Sequence, residues 1–500
     1  MELKSYLATY FNFTDFRPGQ RETIESVLGK KHTISMLPTG TGKSLCYQLP
    51  GYLMEGPILV VSPLLSLMQD QVDQMMAMGE KRVIALNSFL SPQQKAQALD
   101  NLEKYKYIFI SPEMLGIDSV LGRLQKLSVS LYVVDEAHCI SQWGYDFRPD
   151  YLKLGEYREK LGHPVTLALT ATASKEVRRD IAEKLCLEEW NEVVYSVDRP
   201  AISLAVEHVS TFQEKVDRTF ELVKILKGPG IIYFSSKKVA EQTAGHLREK
   251  GIKNVMAYHG GLDSESRILI QQQFINGQLD VVCATSAFGM GINKDNVRYV
   301  IHFHMPMQIE SYLQEIGRAA RDGLDSIAIL LYTPGDEQLA HQLAEGEMPD
   351  QYQIERLFGI LNDNQVSYHD LGKRAEEFSM LCGFTDIQWR IVEEYLSNQT
   401  EIDYKADKQS LIQLVENRLL VKKKKIRSML EWIHTRECKR AVILKQFNEE
   451  LAQRPENCCS ICGINMEQYK ETKPFPQHEK NIMDWKRDLA SILLIGERIK

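Results

Sequence analysis

The sequence predicts an α/β protein: two successive doubly wound parallel-sheet domains followed by a mainly helical domain that carries a cysteine cluster. Three observations predict it. From about residue 30 to 205, short apolar runs alternate with amphipathic stretches, the pattern of a parallel sheet with helices on both faces. After Asp198-Arg199-Pro200 the same rhythm restarts. Beyond Thr333-Pro334-Gly335 the strand-like runs stop and helical spacing takes over.

In the first segment the expected strands are Thr33–Met36, Ile58–Ser62, Ile108–Ser111, Leu131–Val134 and Thr166–Leu169, with helices such as Leu64–Met76 and Lys175–Leu185 between them. The second segment offers strands at Ile231–Ser235, Val281–Ala284, Tyr299–Phe303 and Ile327–Tyr332. In the third, Asp370–Leu381, a turn at Cys382-Gly383, Asp386–Leu396 and Gln409–Leu420 have the lengths of a helix-turn-helix or small winged-helix unit at 365–420. The apolar spacing fits a plain helical bundle equally well. One further helix is expected at Asp484–Ile495. The expected divisions are residues 1–200, 201–335, 336–463 and a tail, 464–500.

A chain of 500 residues suggests about three domains at roughly 150 residues each. Hydrophobic residues make up 44% and charged residues 25%, as in globular proteins. No run approaches about 18 uninterrupted apolar residues, and Met1–Gln20 has no signal-like apolar core, so a cytoplasmic protein is expected rather than a membrane or secreted one. Sixty basic against 67 acidic side chains argue against general polyanion coating but permit a local basic track. Of nine cysteines, Cys46, Cys139, Cys186, Cys283 and Cys382 are scattered, while Cys438, Cys458, Cys459 and Cys462 fall together. That distribution points to a reducing compartment and a metal site.

Met36-Leu-Pro-Thr-Gly-Thr-Gly-Lys-Ser44 follows one strand and precedes a helix. Gly40 and Gly42 let backbone approach phosphate oxygens, and the helix start offers unpaired N–H groups. Lys43 would meet the β- and γ-phosphates and Ser44 would help hold Mg²⁺. Leu37 stands where the full pattern has its first glycine. Val133-Val-Asp-Glu-Ala-His138 ends another strand with adjacent acids. There Asp135 would hold hydrated Mg²⁺ and Glu136 would orient and deprotonate the attacking water. Together these imply hydrolysis of a nucleoside triphosphate.

The following segment, Cys139 to Arg148, places Trp143, Tyr145 and Phe147 at alternate positions in a polar, glycine-containing loop. Aromatic faces stack on bases irrespective of sequence, and Arg148 would add a phosphate contact. Beside catalytic acids this reads as a sensor of bound single strand, with His138, Ser141 and Gln142 in the same stretch. In the second segment, Arg318 and Arg321 lie three apart on one helix face, and Arg321 could reach a γ-phosphate across a cleft with Arg318 beside it. Ala284–Asn293 is a glycine-flexed loop with hydroxyls suited to both nucleic-acid backbone and nucleotide.

From about residue 10 to 463 the chain resembles the RecQ family of superfamily 2 DNA helicases, whose two motor domains are RecA-like. Phe16-Arg-Pro-Gly-Gln20 resembles motif 0, which implies adenine recognition by Gln20 with Arg17 alongside. Residues 36–44 resemble motif I, so Thr39, Gly40, Thr41, Gly42, Lys43 and Ser44 are implied to bind ATP. Ser62–Gln71 resembles motif Ia, Ser141–Asp150 the aromatic-rich loop, Thr170-Ala-Thr172 motif III, and Phe234–Lys238 a loose motif IV. Ala284–Val297 and Gln314–Gly323 resemble motifs V and VI. Three positions depart from the usual pattern: Thr41 and Ala320 replace glycines and Tyr145 replaces a histidine.

Four thiolates closing on a Cys-x-x-Cys pair fit a closed structural Zn²⁺ site. They resemble the family's zinc-binding subdomain, with Cys458 and Cys459 adjacent where many members space them. Between Val421 and Lys445, nine Lys or Arg face only Glu431 and Glu437, a stripe that could hold duplex phosphate. The family often continues into winged-helix and small helical accessory domains, and a short bacterial-type member without them is expected here. The resemblance implies ATP-dependent 3′-to-5′ unwinding in repair or recombination, on single-stranded tails, forks or junctions near the nucleoid. Single-strand-binding or repair proteins would be partners. The competing expectations are an RNA helicase, and a DNA-stimulated ATPase scaffold that remodels complexes without separating strands.

Overall fold

The computed structural model describes residues 3–471 except 64, 88–89, 142–147, 290–293, 365, 369–370, 398 and 400–401. Strands are numbered in chain order: β1 Thr33–Met36, β2 Ile58–Val61, β3 Val83–Leu86, β4 Tyr107–Ile110, β5 Leu131–Val134, β6 Val165–Thr170 and β7 Asn191–Val194. They form one parallel sheet in the order β3-β4-β2-β5-β6-β1-β7. Strands β8 Ile202–His208, β9 Gly230–Tyr233, β10 Val255–Tyr258, β11 Val281–Ala284, β12 Tyr299–His302 and β13 Ser326–Tyr332 form a second. Its order is β10-β11-β9-β12-β13-β8.

Central strands read as unbroken apolar runs because both faces are covered. Along β2, Ile58 and Val60 enter one core while Leu59 and Val61 enter the other. Along β9, Ile231 and Ile232 divide the same way. The two RecA-like sheets agree with the expected fold class. The reading found no strand at β3, β7, β8 or β10. Half-exposed β7, Asn-Glu-Val-Val, has every second residue in solvent and no apolar run, and β10 is only partly buried.

The helical region contains two differently packed parts. Helices Gln351–Asp363, Ala375–Cys382, Asp386–Ser397 and the start of Tyr404–His434 enclose their own core around Leu357, Phe378, Trp389 and Leu411. Farther along, Ile426, Met429, Trp432 and Ile433 merge with the core of the second sheet, with Trp432 4.8 Å from Tyr312. Gly383 closes its helix in a left-handed conformation (φ 73°), as the expected turn requires. The expected helix Gln409–Leu420 is instead part of a 31-residue helix, Tyr404–His434. Among the described residues of this unit there is no strand, so the winged-helix alternative gives way to an all-helical one.

Residue 463 is not a packing boundary. Tyr469 enters the second-sheet core, its hydroxyl 2.8 Å from Ser203 Oγ, and Glu471 N–H donates to the Ile225 carbonyl at 2.9 Å. The expected helix Asp484–Ile495 lies outside the described residues. Among the described residues no helix is long and apolar enough to cross a membrane.

Candidate nucleotide site and cysteine cluster

In a doubly wound sheet, ligands bind beyond the carboxyl ends of the strands. The carboxyl ends of β1, β6 and β5, neighbours in that order, bear residues 37–44, Thr170-Ala-Thr172 and Asp135-Glu136. Gly40 and Gly42 have φ of 83° and 74°, so the loop turns through backbone that side chains disfavour. Leu37, in place of a glycine, is buried, and its N–H donates to Thr170 O at 3.0 Å. It fits because Gly19 beneath it has no Cβ; one there would lie 2.2 Å from Leu37 Cδ2.

Gln20 is buried, and its amide donates to the Thr41 and Gly42 carbonyls at 2.7 and 3.0 Å. Its Oε1 accepts from Arg17 N–H at 2.8 Å, while Arg17 Nη1 donates to the Gly40 carbonyl. Motif 0 is therefore wired to the phosphate loop from below. Asp135 N–H donates to Val61 O at 2.9 Å and its Oδ1 accepts from Glu136 N–H at 3.0 Å. Glu136 takes a left-handed φ of 47°, which swings it off the strand axis. Burial, then the Glu136 charge, raise the Asp135 carboxyl well above the ordinary carboxylate range, with Lys43 opposing them. Glu136 Oε2 is buried without a hydrogen-bond partner. Two adjacent buried carboxyls with an orphaned oxygen, beside Lys43 and Ser44, fit a divalent cation and its water shell.

His138 is buried, and burial followed by the charges of Lys43, Arg148 and Lys425 holds its imidazole neutral. Its Nδ1 lies 3.0 Å from Thr170 Oγ1 and 3.4 Å from Glu136 Oε2, joining the acids to the end of β6. Ser141 is buried. Arg148 spends Nη1 on the Pro63 carbonyl at 2.8 Å, inside motif Ia. Gln142, Trp143, Tyr145 and Phe147 lie outside the described residues.

The second sheet closes directly on this site. A Cβ on Gly317 would stand 1.7 Å from Thr39 Oγ1, so glycine there allows the two domains to touch. Arg321 Cγ is 2.8 Å from where a Gly40 Cβ would be. Burial, then the charge of neighbouring Arg318, push the Arg321 guanidinium down to about 10, a penalty on its charge that a phosphate would relieve. Arg318 is turned away, donating to Gly289 O in its own domain. Farther along the cleft, Gln271 Nε2 donates to Asp70 Oδ2 at 2.9 Å, and burial pushes Asp70 up to about 6.

Arg199 is a residue the sequence reading passed over. It bridges the two domains through four carbonyls, and no motif marked it. Behind it Arg440 donates to Asp198 Oδ1 and to the carbonyls of Arg199 and Ile202, at 3.1 and 2.5 Å for the latter two.

Ligand atoms of Cys438, Cys458, Cys459 and Cys462 lie within 4.8 Å of one another. The sulfurs of Cys438 and Cys458 are 3.6 Å apart, those of Cys438 and Cys459 3.9 Å. Tetrahedral ligation with Zn–S of about 2.3 Å requires S···S of about 3.8 Å, so the cluster is compatible with zinc. The Cys459 thiol is lowered although burial opposes it, because amides of Cys462, Ile461 and Lys439 donate to it.

Five of the nine bases of the stripe are engaged by other parts of the chain, while Lys424, Arg427, Arg436 and Lys445 are exposed. Lys422 pairs with Glu347, Lys423 with Glu345 at 2.8 Å and Lys425 with Glu310 at 3.6 Å. Lys439 is buried and donates to the carbonyls of Trp432, Ile433 and Thr435 at 2.9, 2.7 and 2.9 Å, capping the long helix. The helical unit beside it has twelve acids against seven bases between residues 351 and 420. The acidic unit does not favour the duplex-phosphate reading, and the stripe leaves only its four exposed bases for it.

The helix face expected to carry Arg318 and Arg321 is absent, because the helix Ile309–Ile316 ends before both and they sit on the turn that follows it. A phosphate loop and paired carboxyls on one sheet, closed upon by that arginine-bearing turn of another, define a two-domain nucleotide-hydrolysing motor of the helicase class. A DEAD/DEAH box helicase model matches residues 17–180, and a helicase conserved C-terminal domain model matches 214–323. The chain is 44% identical over 473 residues to the probable ATP-dependent DNA helicase RecS of Bacillus subtilis, 94% of each chain. It is 42% identical over 357 residues to ATP-dependent DNA helicase RecQ of Pasteurella multocida, 70% of this chain and 55% of that one. The structure of Mycobacterium smegmatis helicase Lhr bound to ssDNA and AMP-PNP shares the fold, with TM-score 0.54 and 21% identity over 69% of this chain and 49% of that one. The chain belongs to the RecQ family of ATP-dependent DNA helicases.

Proposed function

We propose that this chain steps 3′ to 5′ along single-stranded DNA, unwinding tailed, forked or junction duplexes during repair or recombination. The supporting observation is the seating of Arg321 against the Gly40 turn, which puts groups from both domains around one phosphate position. Thr39, Gly40, Thr41 and Gly42 cradle the phosphates. Lys43 meets the β- and γ-phosphates, Ser44 and Asp135 hold Mg²⁺, and Glu136 takes a proton from the attacking water. Mg²⁺ would neutralise charge on the β- and γ-oxygens. Gln20 and Arg17 face the base, Arg321 meets the γ-phosphate, and Arg318 ties it to motif V. His138 passes the state of the acids to Thr170, while Ser141, Gln142, Trp143, Tyr145, Phe147 and Arg148 sense the strand. Cys438, Cys458, Cys459 and Cys462 hold a structural Zn²⁺. The reading places the protein in the cytoplasm at the nucleoid, with single-strand-binding or repair proteins as partners.

Strand displacement on a duplex with a 3′ single-stranded tail tests this reading. ATP-dependent displacement is expected from the 3′ tail, with a 5′-tailed duplex and Lys43→Ala inactive. DNA-stimulated hydrolysis without displacement would replace it with the remodelling scaffold, and stronger stimulation by single-stranded RNA with an RNA motor.

The raised Asp135 carboxyl sets a pH dependence. Protonation competes with cation binding, so the Mg²⁺ concentration for half-maximal ATPase should rise as pH falls from 8 to 6, about tenfold per unit below the Asp135 value. Asp135→Asn should remove that slope along with most activity. A Mg²⁺ requirement independent of pH would count against Asp135 as the cation's holder.

A further inference from the structure

We propose that Arg199, in the linker between the two sheets, is the positioning residue that holds Arg321 in register with the phosphate loop. The proposal rests on the reading of Arg321 as the γ-phosphate contact. Arg199 Nη1 donates to Thr39 O at 2.5 Å and Gly317 O at 3.3 Å; Nη2 donates to Ala319 O at 3.1 Å and Ala320 O at 2.8 Å. The first acceptor belongs to the phosphate loop. The other three belong to residues 317, 319 and 320, within the four residues that lead into Arg321. One planar fork thus spans both halves of the site, a geometry that a lysine's single ammonium cannot copy.

The backbone just before Arg321 explains why such a clamp is needed. Ala320 has φ of 55°, left-handed backbone that a Cβ disfavours. Its N–H donates to Val297 O at 3.2 Å on one side, and its carbonyl accepts from Arg199 on the other. That twist sends the next side chain, Arg321, toward Gly40. A glycine at 320 would take the twist without help; alanine needs both bonds. Among the described residues no acid pairs directly with the Arg199 guanidinium: neighbouring Asp198 favours its charge but is itself paired with Arg440. Burial, then the charge of Arg17, disfavour its charge, so its place at the mouth of the phosphate loop suits an approaching anion.

The test uses the full chain and DNA-stimulated ATP turnover. Arg199→Gln and Arg199→Lys should each lower kcat by about 10²-fold, as for a reacting group misplaced by about 1 Å, with KM for ATP changed less than about threefold. Thermal melting and zinc content near wild type establish that the variants fold, and Arg199→Lys carries the test if Arg199→Gln does not. Because Arg199 acts through Arg321, the double variant Arg199→Gln/Arg321→Ala should be no more than about twofold slower than Arg321→Ala alone. Ala320→Gly placed in the Arg199→Lys background should restore about fivefold of the lost rate. Losses that multiply in the double variant, or no recovery with Ala320→Gly, would overturn the proposal. Full turnover in Arg321→Ala would instead overturn the reading of Arg321 beneath it.

Discussion

Lys43→Ala is expected to reduce DNA-stimulated ATP hydrolysis to background while leaving DNA affinity within about threefold of wild type. Two losses combine. The ammonium that would meet the β- and γ-phosphates disappears, and removal of one such preorganised charge typically costs about 10²–10³-fold, or about 3–4 kcal/mol. Lys43 is also the charge that opposes burial and Glu136 at Asp135. Without it the Asp135 carboxyl keeps its proton to still higher pH, and cation binding must displace that proton. The segment after Ser141, proposed to sense the strand, uses different residues, so DNA binding should survive. Turnover and fluorescence anisotropy on one single-stranded oligonucleotide measure both quantities. Turnover within tenfold of wild type would remove Lys43 from the phosphate site.

The catalytic half of the site was legible because its chemistry is local in sequence. Residues 36–44 and 133–138 each carry a strand, a turn and reactive groups within nine residues, so pattern alone locates them. Arg321 was legible as a residue, but its approach to Gly40 depends on the closure of one sheet on another. Arg199 was illegible: its partners are carbonyl oxygens, which every residue has, contributed by segments roughly 120 to 160 positions away. The basic stripe was only partly legible for a related reason. Charge along a chain says nothing about Glu347, Glu345 and Glu310 arriving from other helices. Strands β7 and β10 were missed because both are sheet edges that leave part of the side-chain row in solvent, and the apolar run that marks β2 or β5 never forms.

The cysteine cluster sits where the second sheet would otherwise end. Strand β8 is an edge of that sheet, and its outer side is occupied by the cysteine loop. Leu204 N–H donates to Cys458 O at 3.2 Å and Ser460 N–H to Leu204 O at 2.9 Å. An uncovered edge strand is a template for aggregation. Cys438 starts the helix Lys439–Gln446, from which Arg440 grips the linker and Leu444 enters the first-domain core. Cys459→Ser should therefore do more than loosen a surface loop. A neutral hydroxyl is a poor replacement for a thiolate, and structural zinc supplies folding free energy outright, about 10–16 kcal/mol in small zinc modules. The expected result is a fall from one zinc per chain to well below half, a melting temperature lower by about 10 °C or more, and loss of most soluble protein. ATPase should fall with it, through the linker that Arg440 no longer holds. Full zinc content in Cys459→Ser, measured by atomic emission on the purified chain, would exclude Cys459 as a ligand. Normal melting with zinc lost would instead show that packing alone secures the β8 edge.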